Sequence, residues 1–174
     1  MYFIGSIIGS MIWPRLSDIY GRKPFVIGCT LLHIIACFVI VINDNLTVAY
    51  AMIFLQGMSM IGRALINFIW LCESMHLKDT NRVTSIMFIF DALQLSVASI
   101  YFKFMSKDWT YFYAVPALIM FLSVIALCFY EESPKFYYGT RQYDKARRCL
   151  TAIGRKNGTL DYKETFTATF DKEV

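Results

Sequence analysis

The stretch LSDIYGRKPFVI, Leu16 to Ile27, decides how this chain is read, because a short charged segment interrupts two apolar runs and stops as abruptly as it starts. Asp18, Arg22 and Lys23 separate residues 1–16 from residues 24–42, and both flanks are greasy. Of the 174 residues, 57% are hydrophobic and 17% aromatic. Mean hydropathy is +0.48. An ordinary soluble domain carries less apolar matter than this, so the solvent for most of the chain is lipid and the charged segment is a loop at a membrane boundary.

A bilayer core about 30 Å thick needs roughly 20 mostly apolar residues per helix. Five segments answer to that: 1–16, which is short, then 24–42, 47–72, 83–102 and 111–130. Pro24 opens the second in a position that a helix tolerates, and Asn43, Asp44 and Asn45 turn the chain into the third. The expected fold class is all-α, a multi-pass transmembrane helix bundle spanning residues 1–134, with residues 135–174 as an inner loop and tail. Basic residues mark the inner side. Arg15, Arg22, Lys23, Lys78, Arg82 and every basic residue from Lys135 onward fall on one side, and only Lys103 and Lys107 on the other. Topology thus accounts for the net charge of +4 without nucleic acid as a partner. Trp109, Tyr111 and Tyr130 at span ends fit an interfacial belt.

The five cysteines lie in spans or on the inner side, so they read as small packing residues and not as a disulfide framework. No metal-ligand spacing, phosphate loop or nucleophile-base pattern occurs, so neither an enzyme nor a cofactor is expected. The first apolar run lacks the basic start and cleavage site of a secretory signal. Gly5 and Gly9, with Ser6 and Ser10, form small-x-x-x-small repeats that let two helix backbones approach.

Ionisable residues inside spans are costly and mark functional hypotheses. Arg63 lies ten residues before Glu73, and Asp91 nine after Arg82. Both are therefore roughly 15 Å deep. Two antiparallel neighbours would bring them level, and a pair is expected. Gln56, Ser59, Arg63, Asn67, Trp70 and Ser74 recur at the spacing of one helical face, and Thr84, Asp91, Gln94 and Tyr101 do so less continuously. The third and fourth spans are thus expected to line a wet cavity, with Arg63, Asn67, Asp91, Gln94, Gln56 and Trp70 along a solute pathway, and the second and fifth to face lipid. A buried structural ion pair in a helix bundle accounts for the same charges. His33, without a polar stripe of its own, reads as a packed neutral side chain.

Pro14 to Lys23, PRLSDIYGRK, resembles the signature loop between the second and third helices of the major facilitator superfamily, G-x-x-x-D-R-x-G-R-K. Asp18, Gly21, Arg22 and Lys23 match, whereas Pro14 replaces the first glycine and Ile19 the first basic residue. From Asp108 onward, DWTYFYAVPALIMFLSVIALCFYEESPKFYYGTRQYDKARRCLTAIGRKNG resembles the sixth helix and following loop of the organic-ion and sugar transporter branches, with ESPK standing for E-S-P-R. FLQG before Glu73 resembles the fourth helix. The resemblance implies helices two to six of a twelve-helix transporter, that is, part of its N-terminal half. It further implies a cytoplasmic gate network drawn from Asp18, Gly21, Arg22, Lys23, Glu73, Arg82, Glu132 and Lys135, and transport of a small organic solute by alternating access. The partners implied are membrane lipid, the solute, and a missing transporter half or other membrane subunits. The competing expectation is a complete, shortened relative that transports nothing and serves as a structural subunit of a larger membrane complex.

In the tail, residues 142–153 set Tyr143, Ala146, Leu150 and Ile153 on one face and Lys145, Arg147 and Arg148 elsewhere. A short amphipathic helix at the inner membrane surface is expected, and a flexible linker from residue 154.

Overall fold

The computed structural model describes residues 1–74, 77–105 and 107–156. Among these residues it is all helical: α1 (Tyr2–Tyr20), α2 (Arg22–Ile42), α3 (Leu46–Ile61), a π-helical turn (Gly62–Ile66), α4 (Asn67–Ser74), α5 (Leu77–Ile100) closed by a second π turn (Tyr101–Met105), α6 (Trp109–Cys128), α7 (Pro134–Gly139) and α8 (Tyr143–Lys156). Among the described residues four stretches are long and apolar enough to cross a membrane: Arg22–Ile42, Leu46–Ser74, Asp79–Met105 and Trp109–Cys128. They correspond to four of the five spans expected. The segment expected at 1–16 is a helix that runs on through Pro14 to Tyr20, and Pro14, Arg15, Ser17 and Asp18 dilute its hydropathy below that of the other four.

α1 lies along α3 with backbone against backbone. A Cβ on Gly5 would collide with the Phe54 carbonyl, and one on Gly57 with the Tyr2 carbonyl. Ser6 Oγ donates to the Gly57 carbonyl at 3.1 Å and Trp13 Nε1 to the Met58 carbonyl at 2.8 Å. Side-chain donors thereby reach carbonyls on the neighbouring helix, which lipid could not satisfy. Asn45 starts α3 by accepting the Thr47 N–H at 3.0 Å, a side-chain cap on one of the helix's orphan donors.

α2 is the central helix. It packs against α3, α6 and the π turn and buries Val26, Cys29, Thr30, Ile34, Ala36 and Cys37. Val26, Ile66 and Trp70 form the core, flanked by Trp13, Phe25 and Leu127. This corrects the assignment of the second span to lipid: in a bilayer, apolar character does not separate a lipid-facing helix from a packed one, and the small residues Cys29, Ala36 and Cys37 carry the packing information instead. The outlying helix is α5. None of its most apolar stretch is buried, and Phe88, Ile89, Phe90, Leu93 and Leu95 are exposed.

Beyond α6, Pro134 opens α7 at a position where its missing N–H costs nothing. α8 packs on α7, and its Ala146 and Cys149 are buried. It reaches Lys156, so residues 154–156 expected to begin a linker are helical, and the rest of that expected linker lies outside the described residues. Cys29, Cys37 and Cys149 are buried as expected of packing residues, while Cys128 is exposed.

Candidate functional site: a charge network at one end of the helices

Gly21 is the only residue between α1 and α2. Its φ of 108° belongs to a region that other residues avoid, and a Cβ there would sit 2.7 Å from Glu132 Oε2. This bareness lets a carboxylate from the far end of the chain reach the start of α2. Glu132 Oε1 accepts the backbone N–H of Arg22 and of Lys23, each at 3.1 Å, and Oε2 shares the latter at 3.1 Å. It also accepts the N–H of Ser133 at 3.0 Å. The third residue of α2 is Pro24, which has no N–H to satisfy. Glycine, two ordinary donors and a proline thus make a helix start shaped for capping by a remote anion, where the helix dipole favours negative charge. Glu132 is only 8% exposed, and those amide donors compensate its burial.

Arg22 holds the second acid. Its Nη2 donates to Glu73 Oε1 at 3.2 Å and its Nε lies 3.2 Å from Oε2, a two-point contact. Asp18 Oδ1, one turn earlier, is 3.0 Å from Arg22 Nη1. The Phe136 ring lies beneath the guanidinium, 5.9 Å from centroid to carbon. Ser133 Oγ donates to Glu73 Oε2 while accepting the Phe136 N–H that starts α7. Lys23 Nζ donates to the carbonyls of Cys128 at 2.9 Å and Tyr130 at 2.7 Å, closing the end of α6. Outside the spans, burial raises the Tyr137 hydroxyl above its ordinary range, with further upward contributions from Glu132, Cys149 and Glu131.

Of the gate residues expected, the structure brings Asp18, Gly21, Arg22, Lys23, Glu73 and Glu132 together. Arg82 and Lys135 are exposed and take no part among the described residues. Sequence reasoning missed Ser133, which links Glu73 to α7, although its place before a proline is an N-cap signal. Glu132, expected in the network, bonds to the backbone amides of Arg22, Lys23 and Ser133.

The six pathway residues are more scattered. Gln56 is buried and donates to Cys37 Sγ at 3.3 Å. Ser59 Oγ lies 3.4 Å from His33 Nδ1, so His33, half-buried between helices as a packed side chain, has one polar neighbour on α3. Arg63 sits inside the first π turn and donates to Met120 Sδ on α6 at 3.7 Å. Asn67 is half-buried. Trp70 is 2% exposed, with its ring edge-on to Tyr130 at 5.7 Å. Asp91 and Gln94 are exposed on α5. The expected Arg63–Asp91 pair is absent among the described residues, because α6 and not α5 lies beside Arg63. The stripe that joined Arg63 to Trp70 assumed one regular period, and the π turn, which widens the helix, interrupts it.

Compared with protein-family models, the chain matches the Major Facilitator Superfamily over residues 1–164. It belongs to that superfamily. It is also similar to the steroid transmembrane transporter SLC22A24 of Oryctolagus cuniculus, at 25% identity over 171 residues, which are 98% of this chain and 31% of that protein. The chain thus spans about a third of the length of this curated relative. Family membership and the four apolar helices make it an integral, multi-pass membrane protein. The glycine at φ 108°, the arginine and the lysine of the superfamily's signature loop are the residues that receive Glu132 and Glu73.

Proposed function

We propose that this chain forms part of a transporter that moves a small organic solute across the membrane by alternating access. The observation that carries the reading is the Arg22–Glu73–Glu132 network, which ties the inner ends of α1, α2, α4 and α6 at one point. A latch of buried, charge-assisted bonds holds that side closed, and rocking of the helices opens it by breaking them. Arg63, Asn67, Asp91, Gln94, Gln56 and Trp70 are proposed to border the solute path, with Arg82 and Lys135 joining the network in another state of the cycle. The relative's name makes steroids the first solutes to test, followed by organic cations, organic anions and hexoses. Exposed, apolar α5 is proposed to dock on further helices of the transporter.

The test is uptake of these four labelled solute classes into vesicles containing the longest natural transcript, beside Asp91→Asn and Glu73→Gln versions. Saturable uptake of one class, abolished by Asp91→Asn and slowed by Glu73→Gln, is expected. The unpartnered α5 also favours a second reading, a non-transporting subunit docked to other membrane proteins. Absence of uptake for every class, with the chain co-purifying in a defined complex, would establish it.

A further inference from the structure

The buried arc of α8 and its charged arc face different surroundings. Ala146 is fully buried and Cys149 4% exposed, and Cys149 Sγ donates to the Glu132 carbonyl at 3.0 Å. That bond anchors α8 four residues beyond the last residue of the α6 span. Successive residues of a helix are rotated by about 100°, which places Arg147, Arg148, Thr151, Ala152 and Arg155 on the opposite arc. Those five residues line one shallow hollow. Arg148 and Arg155 are exposed and form no ion pair among the described residues. Thr151 Oγ1 donates to the Arg147 carbonyl at 2.8 Å. The one acid of the helix, Asp144, stands in the first turn, ahead of the hollow.

General inner-side positive charge explains basic residues in this loop but not their gathering around one depression. Guanidinium groups are planar forks that grip phosphate oxygens two at a time. The anchor on Glu132 holds the helix within about one helix diameter, roughly 10 Å, of the membrane boundary, where inner-leaflet lipids present anionic headgroups. We infer that the hollow formed by Arg147, Arg148, Thr151 and Arg155 is a binding site for a phosphomonoester, supplied by a phosphorylated lipid headgroup of the inner leaflet. The inference is independent of what the protein transports.

The test uses the full chain in neutral detergent, titrated separately with dioctanoyl phosphatidylinositol bisphosphate, its soluble inositol trisphosphate headgroup, inorganic phosphate and dioctanoyl phosphatidylserine, with heat of binding as the readout. Saturable one-to-one binding of the phosphorylated lipid is expected, at least tenfold tighter than phosphatidylserine, and weakened tenfold or more in the Arg148→Gln/Arg155→Gln variant. Arg15→Gln, which removes a basic residue elsewhere on the inner side, is expected to leave it unchanged. Exposed arginines are replaced without burying anything, and circular dichroism of each variant confirms retained helix. Equal binding of phosphatidylserine, or equal weakening by Arg15→Gln, would reduce the site to general positive charge and overturn it. Binding of the headgroup or of inorganic phosphate as tight as that of the lipid would overturn the lipid as source.

Discussion

Glu132 offers a direct test of how the charged end of the bundle is held. Replacing it with alanine strands three backbone donors, the N–H groups of Arg22, Lys23 and Ser133, at a place only 8% exposed. A buried donor left without an acceptor costs about 1–3 kcal/mol. Truncation also opens room for water near the membrane boundary, so the low end of that range applies to each, and Glu132→Ala is expected to cost about 3 kcal/mol. Glutamine keeps an oxygen where Oε1 stands, in contact with all three donors, and gives up the Oε2 share of the Lys23 N–H and the charge facing the start of α2. That interaction is worth about 1 kcal/mol, so Glu132→Gln is expected to lose about a third as much as the alanine variant. The assay is equilibrium unfolding of the detergent-solubilised protein by rising mole fraction of sodium dodecyl sulfate, followed by far-ultraviolet circular dichroism. Equal losses for the two variants would mean that charge, and not the amide bonds, makes the contact. A loss under about 1 kcal/mol for alanine would mean that the bonds contribute nothing net.

Gly21→Ala is expected to cost about 2 kcal/mol from its backbone conformation alone, and more because its Cβ meets Glu132 Oε2. Combined with Glu132→Ala it should lose about 1 kcal/mol less than the sum of the singles in the same unfolding assay, since the crowded oxygen is gone. Gly57→Leu drives a side chain into the Tyr2 backbone, which cannot yield as a side chain would, and a loss of about 3 kcal/mol is expected; a loss no larger than that of an exposed-site leucine would refute the close crossing of α1 and α3. Arg22→Lys keeps the charge but loses the two-point grip on Glu73 and should cost about 1 kcal/mol, read by the same unfolding curve. Tyr137 favours its protonated form in the fold, so its contribution is intact below the ordinary phenol range near pH 10 and is lost as pH rises through and beyond it. Ultraviolet titration of phenolate absorbance should show a late-ionising component, and Tyr137→Phe should reduce it.

The long apolar helices were legible because bilayer thickness imposes a length on every helix that crosses it, and the Asn43–Asn45 turn and the glycine repeats of α1 are local signals. Which helices touch was not legible. Apolar side chains serve lipid and protein neighbours alike, so α2, expected to face lipid, packs instead among the described helices. The charged end of the site was readable through Asp18, Gly21, Arg22 and Lys23, whose pattern is dense and contiguous. Ser133 was hidden because its partner, Glu73, is 60 residues away in sequence, and no local rule joins them. The intramembrane stripe misled because periodicity arguments carry one helical repeat throughout, and nothing in GRALI announces a π turn.

Lys23 is held twice: its backbone N–H by Glu132, its ammonium group by the carbonyls of Cys128 and Tyr130. The number of residues between Gly21 and Lys23, and between Cys128 and Glu132, is therefore a geometric quantity. One residue inserted in either interval would turn the following backbone by a large part of a helical turn and separate groups that now meet within about 3 Å. Among relatives of this chain, length variation should accordingly collect in the Asn43–Asn45 turn, where neighbouring contacts are local, and be missing from these two intervals.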